Sequence, residues 1–294
     1  MTARTPDISE WIGRTERVHD DLALAQALAA SAMFDDDNLT PTAGSALPPL
    51  WQWFYFLPRA PQSQLDVDGH PQRGAFMPPI ALPRRMFAGA RVTIHQPLRL
   101  GVPAIRDGTI QDVTSKSGRS GSLAFVTVRY RFVQDGVLCI EEEQDIVYRE
   151  PGAPVAAPDV RAWPAPASDA VVRDITPDSR LLFRFSALTF NAHRIHYDRE
   201  YALREEGYPG LVVHGPLNAM LLMQLAKQAE REHALRHGAA VRRATMFSFR
   251  GVAPVFDTGP VRLVGTLEGD RCTLEAMAPD GTTALKAETR FSRD

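Results

Sequence analysis

The sequence predicts an α+β protein of two like units, each an antiparallel sheet wrapped around a central helix. Three observations carry this. A long helix, apolar on nearly every side, precedes four strand-like runs joined by short turns in the second half. The same order of elements recurs, more loosely, in the first half. A proline- and alanine-rich stretch separates the two halves of the 294-residue chain.

The elements follow in order. Leu22 to Met33 has helical spacing, and the aromatic run Leu50 to Phe56 comes next. Residues 58–85 are rich in Pro and Gly and read as a long loop, a length that is usually functional or mobile. Arg91 to Leu98 reads as a strand that aligns with Met246 to Val255. Phe125–Val133 and Val137–Tyr148 read as a hairpin across Asp135-Gly136, and they match Cys272–Ala278 and Thr283–Phe291 across Asp280-Gly281. Glu150 to Ala170 holds five prolines and few large apolar residues, the composition of an extended linker. The expected division is a first unit over 1–150, a linker over 151–172 and a second unit over 173–294.

In the second unit Leu181–Leu188 alternates in part and reads as a strand. A His-rich turn and a short helix near Arg199–Glu206 follow. The helix from Leu217 to Arg236 lacks a polar face over its first turns and must be enclosed, whereas Lys227, Glu230, Arg231 and Glu232 should carry its second half into water. Thr245–Val252 and Pro260–Leu267 complete the four closing strands. A half-open sheet leaves an apolar face uncovered, so two copies of the unit form the stable pattern. This is the double hot-dog arrangement. Two units in one chain already satisfy edge pairing; both a monomer and a homodimer of double units fit it.

Composition narrows the function. Thirty-three basic against 35 acidic residues leave a net charge of −2, which argues against binding nucleic acid through a phosphate-neutralising face. No apolar run approaches the roughly 18 residues that span a bilayer, and the first 21 residues lack the apolar core of a signal peptide. Cys139 and Cys272 sit in strand-like runs without metal-binding or disulfide spacing. A soluble cytoplasmic protein is the expectation.

Three segments carry chemistry. The densest is Asn191-Ala-His193-Arg194-Ile-His196-Tyr197-Asp198. His193 and His196 lie close together, but spacing offers no third ligand, so no metal is expected. In His214-Gly215-Pro216, Pro opens the long helix where its missing N–H costs nothing, and Gly leaves an unshielded N–H at the positive end of the helix. Such an N–H stabilises a carbonyl oxygen that gains negative charge. Ser115 to Gly121 holds small residues and two cations; a hairpin loop explains it better than a phosphate cradle. Arg194, Arg242 and Arg243 are candidates for gripping a carboxylate or a phosphate group. No Gly-x-Ser-x-Gly elbow and no activated cysteine offers covalent catalysis.

At these residues the sequence resembles the MaoC-like, hydratase-2 group of double hot-dog proteins. That family's motif has Asp, then Asn two residues on and His five residues on, before a helix that opens His-Gly. Asn191, His193, His196 and His214-Gly215-Pro216 stand at those places. Phe-Asn-x-His-Arg-Ile-His-Tyr-Asp is similar to a subgroup of type 2 3-hydroxyacyl-thioester dehydratases and mesaconyl-C4-CoA (3-methylfumaryl-CoA) hydratases. Phe76 to Gly89, Lys116 to Gly121 and Asp145 to Glu150 extend the likeness through the first half.

The resemblance implies reversible addition of water across the C2–C3 double bond of an enoyl thioester, with CoA entering as part of the substrate and no other cofactor. It assigns His196 as general acid and base, Gly215 N–H as oxyanion donor and His193 as an orienting group. Tyr197, His214 and Pro216 join the substrate site. Asn191 replaces the family's Asp and cannot take a proton, so His196 acts alone or Asp198 assists. The first unit has Pro48-Pro49-Leu50-Trp51 where the second has its His-Gly cap, and is expected to shape the acyl pocket without catalysis. Trp51, Trp53 and Tyr55 serve either that pocket or the core. The competing readings are a dehydratase of 3-hydroxyacyl thioesters on carrier protein or CoA, a hot-dog thioesterase, and a non-catalytic acyl-binding protein.

Overall fold

The structure is a computed structural model that describes residues 7–36, 39–118 and 121–292. Arg119 and Ser120 of the 115–121 segment lie outside the described residues, as do Met1–Pro6 at the N-terminus. The first half contributes β1 (Thr15–Asp20), α1 (Leu24–Phe34), β2 (Arg84–Ile94), β3 (Ala104–Gly118), β4 (Gly121–Gln134) and β5 (Val137–Arg149). The second contributes β6 (Val171–Ile175), α2 (Ser179–Leu188), α3 (Arg199–Arg204), α4 (Gly215–His237), β7 (Ala244–Gly251), β8 (Val261–Glu268), β9 (Arg271–Met277) and β10 (Thr283–Phe291).

These strands join into one ten-stranded antiparallel sheet, in the order β1-β3-β4-β5-β2-β7-β10-β9-β8-β6. Read inward from its two edges, the sheet repeats itself, with β1-β3-β4-β5-β2 facing β6-β8-β9-β10-β7. The two halves meet where β2 pairs with β7 from Gly89↔Arg250 to Thr93↔Met246. Gly89 stands at a register shift in β2, and a Cβ there would lie 2.5 Å from Phe249 O, so only glycine lets the seam close.

α4 is enclosed as its sequence demands. Leu217, Leu222, Leu225 and Ala226 are fully buried, and the helix packs on β6 to β10 and on β2. Its polar second half does not wholly reach water. Glu230 is 1% exposed and is held by Arg242 at 2.6 Å, because the chain after the helix folds back and supplies the countercharge. Leu181–Leu188 is helical, against the strand expected. Asp178 caps α2 by accepting from Leu181 N at 2.9 Å, and Leu182, Phe185 and Ser186 bury one helical face.

The first half departs from its twin in one respect. α1 packs on α2 and on the aromatic turn Trp51–Phe54, not across a sheet, and buries only Ala27, Ala30 and Met33. The inner face of β3, β4 and β5 is covered by side chains of the 58–83 loop, among them Phe76, Met77, Ile80 and Leu82. A large space remains between that face, the loop and the N-terminal end of α4.

Candidate active site

That space is a cavity of about 1240 Å³. It exceeds the few hundred Å³ of an ordinary small-molecule pocket and suits an extended ligand. From the second half it is lined by Asn191, His193, His196, Tyr197, His214, Gly215, Pro216 and Asn218. From the first half come His70, Arg85, Phe87, Tyr130 and Ile146.

Four imidazoles stand in file along one wall. His70 and His193 have ring centres 4.1 Å apart, His193 and His196 5.4 Å, and His196 and His214 stack at 3.7 Å. His196 Nδ1 donates to Val212 O at 2.7 Å, which fixes the tautomer and leaves Nε2 with its lone pair. Burial pushes the His196 imidazole down to about 4, so it is neutral at physiological pH. Burial lowers His193 and His214 well below the usual range in the same way, and the Arg85 charge adds to it at His193.

His214 is 1% exposed, between Phe185 and His196, with Nε2 at 2.9 Å from Ser186 Oγ. It therefore fixes the face on which His196 rests. His214 also ends the extended segment that leads into α4, and Gly215 opens the helix. A Cβ at Gly215 would meet nothing closer than Phe87 O at 3.6 Å. The first turns of α4 also bury two polar atoms without a partner among the described residues, His214 Nδ1 and Asn218 Oδ1.

The remaining sequence candidates fall as follows. Asn191 Oδ1 accepts from His193 N at 3.0 Å, so the amide braces its own loop. Tyr197 OH donates to Ala192 O at 3.1 Å. Arg194 turns outward, bound to Asp198 at 2.8 Å and lying over Tyr201. Asp198 is committed to that pair and to capping α3 through Tyr201 N. Arg242 is sealed against Glu230, and Arg243 donates to Ile94 O; neither lines the cavity. Trp51, Trp53 and Tyr55 pack behind it.

Asp68-Gly69-His70, absent from the sequence candidates, completes the file. Asp68 Oδ2 accepts from His70 Nδ1 at 3.0 Å. Burial pulls the Asp68 carboxyl up, but its bonds to His70 outweigh this and hold it below the usual range. His70 is itself lowered, by burial first and by the charge of Arg85. The 66–70 loop is bolted to the histidine loop by Arg194 N, which donates to Asp68 O at 2.8 Å. Gly69 has φ +92°, and a Cβ there would fall 1.7 Å from Ala192 O, so no other residue fits. The ligand atoms of Asp68, His70 and His193 lie within 4.8 Å of one another, a spacing that a metal ion also accepts.

No helix among the described residues is long and apolar enough to cross a membrane. Residues 50–257 match the family model for hydroxyacyl-thioester dehydratase type 2. Mesaconyl-C(4)-CoA hydratase of Chloroflexus aurantiacus is 64% identical over 281 residues, 96% of each chain. The mitochondrial hydroxyacyl-thioester dehydratase type 2 of Schizosaccharomyces pombe is 26% identical over 80% of this chain and 84% of its own. Among solved structures, a MaoC-like dehydratase from Phytophthora capsici superposes with a TM-score of 0.64 at 15% identity, covering 98% of both chains. A conserved hypothetical protein of Mycobacterium tuberculosis, described as a double hotdog fold, superposes with 0.55 at 14% identity over 95% of this chain and 96% of its own. The fold is thus the α+β double hot-dog, and the chain belongs to the hydroxyacyl-thioester dehydratase type 2 family.

Proposed function

We propose that this chain is a hydro-lyase that adds water across the C2–C3 double bond of mesaconyl-C4-CoA to give citramalyl-CoA. The observation that carries the reading is the cavity, which places a neutral, oriented imidazole beside the opening of a buried helix. The near-full-length likeness to a hydratase of that name supports the substrate.

In this reading the thioester carbonyl points at Gly215 N–H. His196 Nε2 takes a proton from water as the water oxygen bonds to the carbon β to the thioester. The π electrons move toward the carbonyl, and the enolate oxygen is held by the N–H at the positive end of α4. The imidazolium of His196 then returns its proton to the α carbon. One group serves both steps, since Asn191 and Asp198 are engaged elsewhere. His193 orients the water, and His214 holds His196 in place.

The first half supplies walls, with β3 to β5 and the 58–83 loop enclosing the acyl group. CoA enters as part of the substrate and no further cofactor is invoked. The cytoplasm is the proposed location, and a homodimer of double units is checked by light scattering. The matched family favours a second use of the same machinery, dehydration of a 3-hydroxyacyl thioester on CoA or carrier protein. The deciding experiment follows loss of enoyl absorbance with mesaconyl-C4-CoA and with crotonyl-CoA. Turnover of the first with formation of citramalyl-CoA is expected. Release of free CoA without hydration would overturn the reading in favour of a thioesterase.

A further inference from the structure

We infer that Arg85 is the receptor for a carboxylate borne on the carbon that takes up water, which makes the cavity selective for dicarboxylic enoyl thioesters. This rests on the hydration reading and specifies its substrate class. Of the arginines along the cavity, most are already engaged. Arg73 donates to Ile80 O and Leu82 O, Arg84 pairs with Glu206 at 2.6 Å, and Arg106 pairs with Glu16 and donates to Phe56 O. Arg85 lines the cavity, is half-buried, and has no ion pair or side-chain hydrogen bond among the described residues.

Its position suits the chemistry. Arg85 stands two residues before Phe87 in β2, on the same face of the strand, and Phe87 O is the atom nearest to Gly215, 3.6 Å from where a Cβ there would lie, so Arg85 lines the cavity beside the opening of α4. In mesaconyl-C4-CoA the free carboxylate is bonded to the same carbon that receives the hydroxyl. Its receptor must therefore stand beside the base and not at the CoA mouth. A carboxylate brought out of water into this cavity without a cation is strongly disfavoured, whereas a guanidinium binds it through paired N–H donors. Neutral His193 has an N–H to add, whereas the single N–H of neutral His70 is spent on Asp68. Arg149 also lines the cavity with its Nε unpartnered. It sits at the end of β5 beside Gly152, where the linker begins, across the ladder from Arg84.

The test is the ratio of kcat/KM for mesaconyl-C4-CoA to that for crotonyl-CoA, which lacks the carboxylate. In Arg85→Gln this ratio should fall on the order of 10²-fold, and Arg85→Lys, which keeps the charge but loses the fork, should recover part of it. Thermal melts of both variants report whether the fold is intact, and the lysine variant keeps the test open if glutamine unfolds the chain. A wild-type protein active on mesaconyl-C4-CoA whose ratio is unmoved in Arg85→Gln overturns the role of Arg85 alone. A larger fall in Arg149→Gln does the same and shifts the receptor there. A wild-type protein that hydrates crotonyl-CoA but not mesaconyl-C4-CoA overturns the substrate class, and with it this inference.

Discussion

The two halves share one strand order but fill their sheets differently. In the second, α4 runs 23 residues and its apolar side chains occupy the concave face. In the first, the corresponding place holds the aromatic turn Trp51–Phe54, and a loop closes over the sheet instead. A helix that fills its sheet leaves no room for a ligand; a sheet without one becomes a container. The halves thereby divide the work. The filled half offers the rigid helix end and the imidazole it steadies, and the open half offers volume, Arg85 and the Asp68–His70 pair. The first half is thus no bystander, since it brings an imidazole against His193.

Three measurements bear on that division. Replacing His196 with Ala should cost the most, about 10³-fold in kcat/KM, roughly 4 kcal/mol, while the melting temperature changes little. Loss of less than 10-fold would mean that the base lies in the other half.

Acid comes next. The buried His196 binds its proton near pH 4 when folded and near 6.5 when unfolded, so the unfolded chain holds more protons in between. Stability is full above about pH 6.5 and falls as pH drops toward 4, by up to about 3 kcal/mol for this group alone. His193 and His214 act in the same direction. Urea unfolding at pH 7 and pH 5 measures this, and His196→Gln should flatten the slope. Equal unfolding free energies at the two pH values would show that the imidazoles are not sealed.

The smallest effect is expected from the open half. His70→Ala should lower kcat about 10-fold, or about 1.4 kcal/mol, because the neighbour of His193 is lost while His196 keeps its own anchor. An effect as large as that of His196→Ala would make the halves equal partners in proton transfer.

The filled half was far more legible in the sequence than the open one. α4 announced itself because an all-round apolar helix has no stable place but inside a sheet, and the Asp-Gly turn fixed the last hairpin. β3 escaped notice because Arg106, Asp107, Gln111, Asp112 and Lys116 break its apolar alternation. Leu181–Leu188 fitted two periodicities, and Asp178, an N-cap residue just before the run, was the signal that distinguishes them. His196, His214 and Gly215 could be found because they fall within one short stretch. His70 could not, since more than a hundred residues separate it from His193 and only the crossing of the loop joins them. Arg242 looked like a free cation because its partner, Glu230, lies twelve residues back on the helix.

Gly69 sets a limit on how this protein can be re-engineered. Its bare backbone rests directly on the carbonyl of Ala192, so two stretches far apart in the chain behave as one machined part. Swapping either stretch for a relative's version would jam the fit unless its counterpart travelled along. Libraries meant to alter which acids are accepted must therefore vary both as a single cassette, or leave that point of contact alone.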